Sequence, residues 1–190
     1  MSFSSHINNI ISKASCVLNL IRRNLSKCSK EMKNIAYLSL VRPILEYSSA
    51  VWDPHTATDV LSLEKIQRRA ARWVISDYGR TSSVTSMLSD LQWPTLSDRR
   101  RSARLSTFYK ITHYLSSPPL PAYFTTTNQQ TRYFHDLHYI IPSVRTNAYK
   151  YSFFPRTIKE WNSLPTNIIE TNSPQSFLYQ LNSHYSSDIY

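Results

Sequence analysis

From Ser5 onward, Ile7, Ile10, Ile11, Ala14, Leu18, Ile21 and Leu25 follow one another at three- and four-residue intervals, which places them on one face of a helix. Ser5 offers a capping hydroxyl at its start. A second helix is expected from Ser29, with Met32, Ile35, Ala36, Ser39 and Leu40 as its buried face, until Pro43 kinks or interrupts it. The apolar pattern resumes through Ile44, Leu45 and Tyr47, and Trp52-Asp53-Pro54-His55 reads as a turn. Thr58 or Asp59 can cap a third helix, whose apolar stripe is Leu63, Ile66, Ala70, Trp73 and Val74 and whose stop is Gly79. A short helix is expected around Ser83 to Leu91. Thr95 and Asp98 then form a capping-box-like start to a longer helix through Leu115.

The prolines at 118, 119 and 121 end that helix and mark a boundary, so we expect a helical part over 1–116 and a C-terminal segment over 117–190. In the latter, Tyr139 to Val144 and Ala148 to Phe153 are rich in aromatic and branched residues and predict short strands. Helices are predicted at Arg156 to Trp161 and from Ser173-Pro174, with proline at the first helical position. The expected fold is mainly α, a helical bundle followed by a small α+β or loop-rich segment.

Composition narrows the chemistry. The 190 residues are enough for one globular unit or two small ones. Gly79 is the sole glycine, which argues against phosphate-cradling glycine loops and dinucleotide fingerprints. Cys16 and Cys28 have no second pair and no His at metal-ligand spacing, and read as reduced thiols of an intracellular protein, in cytoplasm or nucleus. No signal peptide or membrane-spanning run is visible, so a soluble chain with no membrane partner is expected.

The net charge of +10 is uneven: 17 Lys and Arg stand against 8 Asp and Glu through Ser116, and 5 against 4 beyond it. Lys65, Arg68, Arg69 and Arg72 fall on a separate, single face of the third helix, and Arg99, Arg100, Arg101 and Arg104 cluster at the entry of the later one. Both are candidate nucleic-acid-binding sets, since phosphates are the natural counter-charge of such a face; the alternative is a solvated surface. Trp52 and Trp93 are open to base stacking, whereas Trp73 and Trp161 lie on apolar patterns and read as core. His135, Asp136 and His138 have tolerable metal spacing but no further ligand cluster, and read as ordinary histidines. The acids are scattered singly and no nucleophile motif is present. We therefore expect no catalytic residue, no metal site, no cofactor and no small-molecule substrate.

Three blocks carry a family resemblance. The first runs from His6-Ile7 through Leu38-Ser39-Leu40-Val41-Arg42-Pro43-Ile44-Leu45-Glu46-Tyr47 to Val51-Trp52-Asp53-Pro54. The second is Leu63-Glu64-Lys65-Ile66-Gln67-Arg68-Arg69-Ala70-Ala71-Arg72. The third joins Phe153-Phe154-Pro155-Arg156 and Trp161-Asn162-Ser163-Leu164-Pro165 to Ser173, Phe177 and Leu181. In order and spacing they resemble the region after the catalytic palm in non-LTR retrotransposon reverse transcriptases of the LINE type, especially the jockey-like clade. The resemblance implies a helical thumb that closes on template and primer, gripping RNA or an RNA/DNA duplex through its backbone. It also implies a fragment of an RNA-directed DNA polymerase that is not an enzyme on its own, because no Tyr-x-Asp-Asp and no adjacent Asp pair occurs and fingers, palm and endonuclease are absent. The missing palm is then a possible partner. The rival readings are a non-enzymatic structural or protein-interaction module, or a decayed element with no function.

Overall fold

The computed structural model describes residues 3–113, 115, 120, 121, 124–126 and 137–187. Among these the fold is mainly α. Two compact units appear, Met1–Arg100 and Arg101–Tyr190.

The first unit begins with α1 (Ser4–Asn24), which buries Ile7, Ile10, Ala14, Leu18 and Ile21. Ser5 lies inside this helix, and Phe3 precedes it without a side-chain cap, which corrects the expected N-cap. Ser29 does cap α2 (Lys30–Ala36) by accepting from the Met32 amide. A π turn, Tyr37–Val41, comes next and leads into α3 (Arg42–Glu46). Pro43 has no N–H to give the Ser39 carbonyl and its ring crowds that oxygen, so the helix widens by one residue rather than breaking, and the Arg42 amide reaches back to the Tyr37 carbonyl.

The face this stretch buries shares only Ala36 with the expected one. Lys33, Ala36, Tyr37, Val41 and Leu45 are buried, whereas Met32, Ile35 and Leu40 are each more than half exposed. The short α4 (Ser49–Trp52) then leads to α5 (Ala57–Ile75), capped by Thr56 rather than by Thr58 or Asp59. α5 buries Leu63, Ile66, Ala70, Trp73 and Val74 as its periodicity predicts, together with Gln67. The amide of Gln67 is satisfied on both sides, accepting from the Tyr37 hydroxyl at 3.1 Å and donating to the Pro94 carbonyl at 2.8 Å. α5 ends at Ser76, which adopts the left-handed conformation with φ 61°, and not at Gly79. The Asp77 amide closes on the Arg72 carbonyl there, the Schellman pattern without a glycine. The space at Gly79 is needed instead for a turn: a Cβ would sit 2.6 Å from the Ser82 hydroxyl oxygen.

Helix α6 (Val84–Asp90) is capped by Ser83, and α7 (Leu96–Thr112) starts at the expected Thr95, whose hydroxyl accepts from the Asp98 amide and donates to the Asp98 carboxylate. The division between units falls inside α7, earlier than the proline-rich stretch near 116 that the sequence suggests. The reason is packing: Leu105, Phe108 and Tyr109 of α7 belong to the second core. Phe108 meets Trp161 edge-on with ring centroids 5.0 Å apart, and Tyr109 stacks on Phe177 at 4.6 Å.

The second unit contains no strand among its described residues. Only an isolated antiparallel bridge, Thr126 to Tyr139, forms. Part of the expected second strand is the one-turn α8 (Asn147–Lys150), followed by α9 (Phe153–Trp161), α10 (Thr166–Ile169) and α11 (Pro174–Ser187). A side chain also holds the backbone of Tyr139: the Asn162 amide accepts from its N–H at 3.1 Å and donates to its carbonyl at 2.7 Å. Of the aromatic and branched residues read as strand, Tyr139 is buried, whereas Ile140, Ile141, Val144, Tyr149 and Tyr151 are exposed, so their β preference meets no sheet to join.

Candidate nucleic-acid interface

Because α5 is one unbroken helix, Lys65, Arg68, Arg69 and Arg72 project within about 100° of arc, while Leu63, Ile66, Ala70 and Trp73 face the core. Lys65 and Arg68 are exposed, and Arg69 and Arg72 half-buried. Among the described residues none of the four makes an ion pair. Arg72 donates to the Gly79 carbonyl at 3.2 Å, which pins its guanidinium over the turn. Nε and one Nη of Arg69 are sealed from solvent without an acceptor. Burial, and then the positive charge of Arg22 on α1, hold the Arg69 guanidinium below its usual range. Arg69 thus feels the charge of an arginine on a different helix, with no acid among the influences on it, and an external anion would relieve that repulsion.

Glu64, the one acid within the stripe's sequence, does not neutralise it. Its carboxylate accepts the Ser97 amide at 2.9 Å, at the start of α7. Burial is the largest influence on this carboxyl and pushes it up from the ordinary glutamate range.

The α7 arginines are placed differently from the expectation. Arg99 forms a two-pronged bond with Glu46, one prong at 2.9 Å. Arg100 is fully buried and its Nε meets Asp53 at 2.9 Å. Arg104 is buried against Glu160 at 2.5 Å, and Arg101 lies 4.0 Å from the same carboxylate and over the Tyr185 ring. An arginine whose guanidinium is enclosed and bonded to an internal carboxylate is poorly placed to reach a phosphate. Arg99, Arg100 and Arg104 are thus held by internal carboxylates and Arg101 is the most exposed of the four, so the α5 set, which makes no ion pair among the described residues, is the stronger candidate interface.

Both tryptophans considered for stacking are enclosed. Trp52 is 3% exposed and donates to the Tyr47 carbonyl; Trp93 is 6% exposed, stacks on Tyr37 and donates to Asn34. Neither offers a ring face to a base. Trp73 and Trp161 are core, as their periodicity predicts. His135 and Asp136 lie outside the described residues. No group of three His, Cys, Asp or Glu that could hold a metal occurs among the described residues, and no described helix is long and apolar enough to cross a membrane.

Sequence reasoning passes over three cations that the fold gathers near the end of α5. Arg22 and Arg23 close the last turn of α1, and Lys33 is enclosed on α2. The tandem arginines at a helix C-terminus are a visible signal; Lys33 is not, since a lysine on the helical interval of a buried face reads as surface. Comparison of the chain with protein-family models finds no matching model, and comparisons with curated proteins and with solved structures find no match.

Proposed function

We propose that this chain grips the backbone of RNA or an RNA/DNA duplex through Lys65, Arg68, Arg69 and Arg72, as the non-catalytic, post-palm part of a non-LTR reverse transcriptase. The observation that carries the reading is the α5 face itself: four cations without an internal acid, one of them sealed and unsatisfied beside Arg22. Phosphate contacts position a protein on a duplex without reading bases, so the grip is electrostatic and independent of sequence. The motif blocks that resemble the reverse-transcriptase family supply the choice of RNA-containing partner.

The test is a salt series with an RNA/DNA hybrid. Each lost phosphate contact lowers the slope of log affinity against log salt by about 0.7 to 0.9, so Arg68→Gln, Arg69→Gln and Arg72→Gln together remove about two units or more. Equal slopes for two folded proteins overturn the reading.

A second reading is favoured by one observation. Met32, Ile35 and Leu40 are 54%, 59% and 51% exposed, at intervals of three and five residues, and the longer interval spans the wider π turn. Tyr47 and Val51 are exposed further along at 80% and 68%. An apolar side of this kind suits a protein neighbour, and a missing palm is the neighbour the first reading requires.

A further inference from the structure

Within the first unit a cavity of about 610 Å³ opens between the end of α1, the start of α2 and the end of α5. That volume lies inside the range of small-ligand sites, about 300 to 1,000 Å³. Arg22, Arg23 and Lys33 line it, with Trp73, Ser76 and Tyr78, and no acid contributes to its wall. Lys33 is only 6% exposed. Its ammonium donates to the Ser76 hydroxyl at 2.9 Å and lies 5.9 Å from the centre of the Trp73 ring. One hydroxyl is a poor match for an ammonium with three donors, and an enclosed cation without a counter-charge is costly.

A second, independent sign points the same way. Trp73 is 4% exposed, and its indole N–H has no acceptor. Three cations, an enclosed ammonium with spare donors and an unmatched indole N–H all ask for acceptor oxygens carrying negative charge. A phosphate supplies them, and charge-assisted bonds of this type are the strong ones. A single phosphate leaves most of the volume empty, whereas a nucleotide unit occupies more of it. Tyr78, 57% exposed on the wall, offers the flat face on which a base stacks.

We propose that this cavity binds a phosphate-bearing nucleotide, with the phosphate held by Arg22, Arg23 and Lys33 and the base against Tyr78. The phosphate comes either from a free nucleotide or from the phosphorylated end of a strand. None of these residues is one of the four stripe cations, although Arg22 acts on Arg69, so the stripe is probed at Lys65 and Arg68, which do not line the cavity.

Calorimetric titration of the full chain with inorganic pyrophosphate, which carries the phosphate chemistry without a base, gives saturable binding at one site. Arg22→Gln with Arg23→Gln weakens it at least about tenfold, while Lys65→Gln with Arg68→Gln, an equal loss of charge on the stripe, changes it less than about twofold. Trp73→Phe, which removes the N–H but keeps a ring, weakens it without loss of the folded state. Tyr78→Ala weakens adenosine monophosphate and leaves pyrophosphate unchanged. Absence of saturable pyrophosphate binding at millimolar concentration, or equal weakening by the two double variants, overturns the proposal. Competition against pyrophosphate separates the sources: adenosine monophosphate alone competing assigns a free nucleotide, 5′-phosphorylated RNA competing where hydroxyl-ended RNA does not assigns a strand end, and no competition by either overturns the nucleotide assignment. An unchanged salt slope in the stripe variants alongside pyrophosphate binding rejects the grip and leaves the pocket.

Discussion

Arg100 shows how one contact decides the meaning of a charge. Its side chain is fully enclosed, Nε bonds Asp53, and both Nη atoms are sealed without partners. Taking Asp53 away leaves a buried guanidinium uncompensated, so Asp53→Ala is expected to cost about 3 to 5 kcal/mol, read from urea unfolding. A loss near zero means that Arg100 escapes to solvent, which restores it as a candidate for phosphate binding. Glu64 has the opposite character. Burial raises its carboxyl from the ordinary 4.5, with Asp98 acting in the same direction and the Ser97 and Leu96 amides and Arg100 against it. A carboxyl raised in the folded state binds more protons folded than unfolded, so its contribution to stability falls as pH rises through 4.5 and beyond. Glu64→Gln keeps an oxygen for the Ser97 amide and loses the charge. Its stability relative to the parent is expected to rise between about pH 4 and pH 7, and a flat difference in paired urea titrations refutes the burial argument.

At the scale of elements, long amphipathic helices are legible in the sequence and local exceptions are not. α1 and α5 follow from their apolar spacing, and Ser29, Ser83, the Thr95 and Asp98 pair and Ser173-Pro174 announce their helix starts because a capping oxygen three residues before an amide is a local, sequence-written device. The buried face of α2 is misread because Lys33 and Tyr37 carry polar ends that find partners only in the folded unit, Ser76 for one and Gln67 for the other. The wide turn at Tyr37–Val41 compounds the error, since it shifts the phase by which a regular helix is read. The end of α5 is misplaced for a similar reason: Ser76 takes a left-handed conformation that glycine adopts more readily, so the pattern points three residues too far, to Gly79. Of the candidate interface, the α5 cations are visible as a spacing. The fate of the α7 arginines is not, because Glu46, Asp53 and Glu160 lie 47 to 56 residues away along the chain.

For the whole molecule the useful question is where it can be cut. Leu105, Phe108 and Tyr109 pack with Trp161 and Phe177, so the second core needs the end of α7. A chain beginning at residue 96 is expected to give a cooperative thermal transition by circular dichroism, and one beginning at 117 is expected to give none, because it lacks three fully enclosed side chains of its core. Cooperative melting of the shorter piece shows that the boundary lies at the prolines after all. The bridge between Tyr139 and Asn162 belongs to this unit and travels with either piece, so its presence does not bias the comparison.

The unsatisfied indole of Trp73 also has an optical consequence. Trp52, Trp93 and Trp161 each donate to an oxygen, whereas Trp73 has no acceptor and an ammonium near its ring. An indole free of hydrogen bonds and shielded from water relaxes little after excitation and emits towards the blue, and its emission energy follows the electric field along the ring. An anion that neutralises Lys33 changes that field at close range. The chain therefore carries, without any label, a chromophore whose colour reports the charge state of its own cavity.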